Sequence, residues 1–504
     1  VQRVAAKYLT LANTTIHEYE PLTAGTRTFE AESFASTVAA WAPGFGQPVD
    51  KAVRAADASS SLDPVPQGSE RSPERQAALE SVQPLPIRDF STLNGPKAFV
   101  REDHSRPTVT VAILFQGGRL IEDSSTSGTT ELMLRSILYG TQRTTYSLVT
   151  QELEQLGAEV RIVVEPDFFG FVLNTLSRNA DRALKLLRDM IEGPAFRKDD
   201  VGRARLGQIA EIRDSRDSGF ARSRELLLQT LYDGHPYSLP AHGREEVVAA
   251  LTGEKLTEWY ARAVEKQLPL AIIVGDTDGS ALVSSQLAEG FRRRDVDAAI
   301  QVRTPRSGAA AERAESRRIE QSTIAIGMNG PRAGSRDLIA VELFESMLNG
   351  EGGGLLRELR DKQGLVFTAN VSSEAMFVSG LIVAYSTMSA EHEQRAKTAL
   401  IAEFERLGRA GLSADEMTSA RALATTSRIA MVQSQPQHAL RYACAIFYKQ
   451  PAADVDTFGE EIGKVSFEDI KRVGSAIFKT SSVSTAIVRG SRQSPSPPPT
   501  AKQN

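Results

Sequence analysis

A single cysteine, Cys444, stands in 504 residues. It has no partner for an internal disulfide and excludes a cysteine-rich zinc site, while the redox compartment stays open. Neither sign of charge prevails, with 59 Lys and Arg against 63 Asp and Glu, so no broad field points to nucleic acid or to an anionic membrane. Long apolar runs are missing as well. The longest, such as VTVAILF from Val109 to Phe115, have the length of a strand, whereas a bilayer span needs about 20 residues. The composition therefore predicts a soluble chain with no transmembrane segment. The length is too great for one core and calls for at least two domains.

What is present is a repeated ending. VQRVAAKYL at Val1 to Leu9 shares its pattern with LTEWYARAV at Leu256 to Val264 and IKRVGSAIF at Ile470 to Phe478. Each is followed by a loop and a β-rich run: TTIHEYE, LPLAIIVG and VSTAIV. Three copies of one helix-then-strand ending imply three modules, two of them complete. The expected organisation is a remnant of a preceding module over 1–28, a linker rich in Ala, Ser, Pro and charge over 29–88, one module over 89–300, a second over 301–490, and a disordered tail over 491–504. On this reading the chain continues a longer tandem protein, and any signal peptide lies upstream.

Within the first complete module, Asn94-Gly95 predicts a hairpin turn that sets Lys97 to Arg101 antiparallel to Thr108 to Phe115. A helix over Leu148 to Leu156 should stop at Gly157, strands follow over Glu159 to Glu165 and Phe168 to Leu176, and then helices over Ala180 to Ile191 and to near Arg213. From about Glu315 the order returns, with a strand over Ile324 to Met328 and a helix over Asp337 to Leu348. The fold class is α+β: two similar modules, each an antiparallel sheet with helices packed mainly on one face.

The stretch GTTELMLRSILYGT, Gly128 to Thr141, puts Glu131, Leu134 and Arg135 on one helical face. Taken alone it is an amphipathic helix with Leu132, Ile137 and Leu138 inward. Its flanks resemble the zinc helix of the insulinase/pitrilysin family of metallopeptidases, the inverzincins, in which H-x-x-E-H lies within G-[TS]-x-H-x-x-E-H-x-x-[FLY]-x-G-T. The resemblance places the family's metal ligands on Glu131, Arg135 and, in AEIRD, Glu211, and its general base on Leu134. A guanidinium that stays protonated does not ligate zinc, and leucine moves no proton. The implied chain has no catalytic residue and no metal of its own. Arg135 is expected to bridge Glu131 and Glu211 in the metal's stead.

A second stretch, EGGGLLRELRDKQGLVF, resembles the family's G-G-x-x-x-x-L-x-x-x-[IL]-R-x-[KR]-x-x-[LG]-x-[YF]. The resemblance puts substrate contacts on Gly352, Gly353, Gly354 and Arg360, and sets Phe367 where the family has a tyrosine. Read on their own, the glycines are a flexible turn, Arg360 complements a helix C-terminus, and Phe367 is core. His235 and His242, in DGHPYSLPAHGRE, read as parts of a structural loop, and His104 and His392 as surface residues.

These features imply the non-zinc-binding half of an insulinase-type metalloendopeptidase. It would line the chamber wall and grip an extended peptide or unfolded polypeptide for a zinc-bearing N-terminal half or partner subunit, being inactive alone, and family resemblance favours the bacterial periplasm or cell envelope. The alternative is a catalytically dead assembly subunit resembling the core proteins of respiratory complexes. A complete zinc enzyme is disfavoured, because Glu131 and Glu211 alone cannot make a three-ligand site.

Overall fold

The computed structural model describes residues 85–91, 95–288, 290–291, 303–305, 310–350, 354–355, 357–457, 459–479 and 483–490. The expected remnant, nearly all of the linker, the tail, Asn94, Gly352 and Gly353 lie outside the described residues.

Two sheets are present among the described residues. The first has the order β1 (Arg88–Asp89), β2 (Lys97–Glu102), β6 (Leu270–Gly275), β3 (Thr108–Gln116), β5 (Phe168–Leu176), β4 (Glu159–Val164). The second runs β7 (Glu312–Arg317), β11 (Ser484–Gly490), β8 (Gln321–Gly330), β10 (Gly380–Ser389), β9 (Thr368–Ala375). Both are antiparallel except for the equivalent pairs β2/β6 and β7/β11, which run parallel. In each, a strand from the end of the module inserts next to the module's first long strand, so the repeated ending seen in the sequence is the closing strand of each sheet.

That insertion corrects the expected hairpin. Lys97–Glu102 does not pair with Thr108–Gln116; β6 lies between them, and β2 takes β1 as its antiparallel partner, with Arg88 opposite Val100. A turn signal fixes that the chain reverses, not which of two flanking segments it reverses against.

The principal helices of the first module are α1 (Thr129–Ile137), α2 (Tyr146–Leu156), α3 (Ala180–Glu192), α4 (Lys198–Asp217), α5 (Gly219–Leu231), α6 (Glu245–Ala249) and α7 (Gly253–Ala263). The second has α8 (Leu338–Asn349), α9 (Glu393–Ala410), α10 (Ala414–Met431), α11 (Gln435–Phe447) and α12 (Phe467–Ile477). Alternation along β3 sends Val111, Ile113 and Phe115 to a core shared with Leu132 and Leu134 of α1, Leu187 of α3 and Trp259 of α7. The other face of the same sheet, with Ala112, Leu114, Val172 and Ile272, is also buried. Its cover is Ala439, Tyr442 and Ala443 of α11, a helix from the second module. The second sheet is covered reciprocally: Leu227 and Leu231 of α5, with Tyr232 just past its end, pack on Ala325, Leu381, Val383 and Ala486. Each module lends the other a helix, which is why β3 is buried at every position between its two ends rather than at alternate ones.

A buried carboxylate fastens the exchange. Asp167, between β4 and β5, accepts hydrogen bonds from the Tyr237 hydroxyl (2.5 Å), the Tyr448 hydroxyl (2.7 Å) and the Phe377 N–H (2.8 Å). Two of these three donors come from the second module. Arg224 of α5 adds an ion pair to Glu374 of β9 at 2.6 Å. No described helix is long and apolar enough to cross a membrane.

Candidate functional site

The face of α1 that carries Glu131 and Arg135 is set by how the helix begins. Its first N–H groups have no partner within the helix, and the buried Glu122 supplies one: its carboxylate accepts from Gly128 N and Thr130 N, each at 2.8 Å. Burial pushes the Glu122 carboxyl above the usual range, against those same hydrogen bonds. At the same place two glycines meet back to back. A Cβ on Gly243 (φ +84°) would lie 2.3 Å from Gly128 Cα, and one on Gly128 (φ +92°) only 2.9 Å from Gly243 Cα. Only glycine permits both the left-handed backbone and this approach. Gln208 of α4, fully buried, locks the junction by donating to Gly128 O (2.9 Å) and His242 O (2.8 Å).

These contacts bring four functional side chains together. Arg135 donates from Nε to Glu131 Oε1 at 2.8 Å and from Nη2 to Glu211 Oε2. Glu211 lies three residues from Gln208 on α4, so the helix that fixes the junction also delivers the second acid. The bridge expected from the sequence is therefore formed. His242 is the residue sequence reasoning missed: read as structural, it places Nδ1 3.1 Å from Glu131 Oε2 and 3.5 Å from Glu211 Oε2. The Glu131 hydrogen bond raises the His242 pKa above the ordinary imidazole value, outweighing partial burial; the two acids favour the imidazolium and Arg135 opposes it. Glu131 is buried, its side chain 5 % exposed, whereas that of Glu211 is 45 % exposed, so the cluster opens to solvent on the α4 side.

The other expected site residues lie elsewhere. Leu134 is fully buried in the first core, so the position of the family's general base faces away from any reactant. Arg360, in a wide helical turn over Arg357–Lys362, pairs with its neighbour Asp361 at 2.7 Å. Phe367 is 51 % exposed and not part of the core; its backbone N–H donates to Thr387 O at the head of β9. Gly354 is buried, where a Cβ would meet Leu348 O at 2.3 Å. Among the described residues, the hydrogen bonds and ion pair of Arg360, Phe367 and Gly354 go to their own neighbourhood in the second module and not to the Glu131 cluster.

Does the cluster suit a zinc ion? Donor atoms of Glu131, Glu211 and His242 lie within 4.8 Å of one another, so the objection that only two donors exist no longer holds. The guanidinium of Arg135 is nonetheless bonded to both carboxylates, and a cation that does not deprotonate repels a metal ion at that distance. As folded, the cluster does not fit zinc.

Comparison with known proteins accords with this geometry. Residues 97–244 match the profile described as insulinase (peptidase family M16), and residues 250–423 that of the peptidase M16 inactive domain. An uncharacterized zinc protease of Streptomyces coelicolor is 22 % identical over 59 % of this chain and 66 % of its own length, just under two thirds. Bovine mitochondrial cytochrome b-c1 complex subunit 1 is 22 % identical over 36 % of this chain and 38 % of its own length. The crystal structure of a peptidase M16 inactive domain from Pseudomonas fluorescens superposes with a TM-score of 0.74 at 20 % identity, covering 82 % of this chain and all of the other, which establishes the shared fold. The chain belongs to the insulinase family of peptidases, family M16.

Proposed function

We propose that this chain is the non-zinc-binding half of an insulinase-type metalloendopeptidase, which grips an extended peptide for a zinc-bearing partner half. The observation that carries the reading is the cluster itself: the family's ligand positions persist in place, yet a guanidinium joins the two acids and the general-base position is a core leucine. A grip is available beside it. β4 is the last strand of the first sheet and packs against α1. Among the described residues nothing pairs with its outer edge, so its free N–H and C=O groups can take a peptide as an added strand. Zinc and the reacting water then belong to the partner.

The test is reconstitution. The purified chain is measured for cleavage of an unstructured peptide alone and mixed with a zinc-bearing module of the same family from the same genome. No cleavage alone and a gain on mixing support the proposal; equal rates with and without the chain refute it.

A second reading, assembly without peptide handling, has its own support in the similarity to cytochrome b-c1 complex subunit 1 and in Phe367, which lacks the hydroxyl the family carries there. Stable complex formation with the partner but no peptide affinity would favour it.

A further inference from the structure

We infer that Glu345 and Asn349 of α8 stand in for an added strand along β9, so that the edge of the second sheet is closed to an extended peptide. The inference rests on strand addition as the mode of grip proposed above. It gives the second module's edge the opposite property to that of β4 and makes the two helix side chains the cause.

β9 ends the second sheet as β4 ends the first, and among the described residues no strand pairs with its outer side. Alternate residues of an edge strand turn their N–H and C=O groups away from the neighbouring strand, and here Val371 and Ser373 do so. Asn349, the last residue of α8, meets Val371 with both ends of its amide: Nδ2 donates to Val371 O at 2.7 Å and Oδ1 accepts from Val371 N at 2.8 Å. One residue of a paired strand would make the same two bonds. One helical turn earlier, Glu345 Oε2 accepts from Ser373 N at 3.1 Å and from Ser373 Oγ at 2.5 Å. The spacings agree, since four residues of helix rise about 6 Å and two residues of strand about 6.6 Å. The first module uses the matching positions otherwise. Glu131 follows β3 at the same interval as Glu345 follows β8, and Arg135 follows Glu131 as Asn349 follows Glu345. Those two side chains bond to each other, to Glu211 and to His242, and no described side chain bonds to the backbone of Glu159–Val164. An edge whose amides are taken up by side chains offers no template to an added strand. Asn349 is exposed, so truncating it empties a place that a peptide can reach.

Hydrogen exchange of the full chain is followed by mass spectrometry with single-residue fragmentation, with and without a large excess of an unstructured peptide. In wild type the peptide is expected to slow exchange in β4 and to leave β9 unchanged. In Glu345→Ala with Asn349→Ala, the Val371 and Ser373 amides should exchange at least about 10-fold faster without peptide, having lost their acceptors, and should slow again when peptide is added. Asn349→Ala alone, a change at an exposed helix end, serves if the double variant does not fold. The inference is overturned if peptide slows β9 exchange in wild type, or if β9 of the folded variant gains no protection from it. Protection of β9 in the variant with none of β4 in either protein would uphold the closure and remove the grip at β4, so the two readings fail separately.

Discussion

At the residue scale the telling side chain is His242. Its imidazolium is favoured by Glu131 and Glu211 and opposed by Arg135, with the Glu131 hydrogen bond dominant. A histidine whose folded pKa stands above its unfolded value contributes stability that is complete below about 6.5 and fades as pH rises through the folded value. Wild type should therefore lose stability between mildly acidic and mildly basic pH more steeply than His242→Gln, as read from urea midpoints across that range. Parallel curves would show that the contact carries no such linkage. Gly243→Ala should act on the same contact from a distance. It forces an alanine into φ +84° and against Gly128, costing at least about 2 kcal/mol from backbone strain and crowding, and its pH dependence should flatten like that of His242→Gln. The Glu131, Arg135 and Glu211 grouping was legible in the sequence because motif spacing fixes two members and family resemblance the third. His242 was not, because it is held by two glycines meeting from segments 115 positions apart, and nothing local in HGRE marks that encounter.

At the scale of elements, α2 ends at Gly157 with φ +57° as its sequence implies, and β5 and β8 lie where their apolar runs put them. Periodicity and caps are local signals and survive folding. Strand order is not local: β6 enters beside β3 from more than 150 residues downstream, displacing the neighbour that the Asn94-Gly95 turn had suggested. The edge strand β4 carries the functional expectation at this scale. Glu159 and Arg161 pair with each other at 2.7 Å, the kind of charge that deters indiscriminate pairing at an edge. If a peptide is held there through its main chain, N-methylation at alternate amides should weaken binding by at least about 10-fold, since several hydrogen bonds of about 1 kcal/mol each are lost. Fluorescence anisotropy of a labelled peptide against the chain measures this. Equal affinity for the methylated peptide would exclude strand addition and leave only side-chain pockets.

For the whole molecule, the exchange of α5 and α11 makes the two modules one folding unit. Neither sheet has a covered second face without the other's helix, and two of the three hydrogen bonds on Asp167, from Phe377 and Tyr448, lie across that same junction. Asp167→Ala leaves two tyrosine hydroxyls and one N–H without their acceptor in a buried place, and the expected loss is about 3 kcal/mol, less than the sum of three penalties because the neighbours relax. Two probes report from opposite sides of the junction. Trp259 lies in the first core, and in a Trp41→Phe background its fluorescence follows the first module. Cys444 lies on α11, where burial pushes its thiol up to about 12 and so keeps it slow to react. In a urea titration the fluorescence change and the onset of thiol labelling should coincide in wild type and move together to lower urea in Asp167→Ala. Labelling that precedes the fluorescence change would mean that α11 leaves the first sheet while its core stays intact, and the modules would then be separable bodies rather than halves of one.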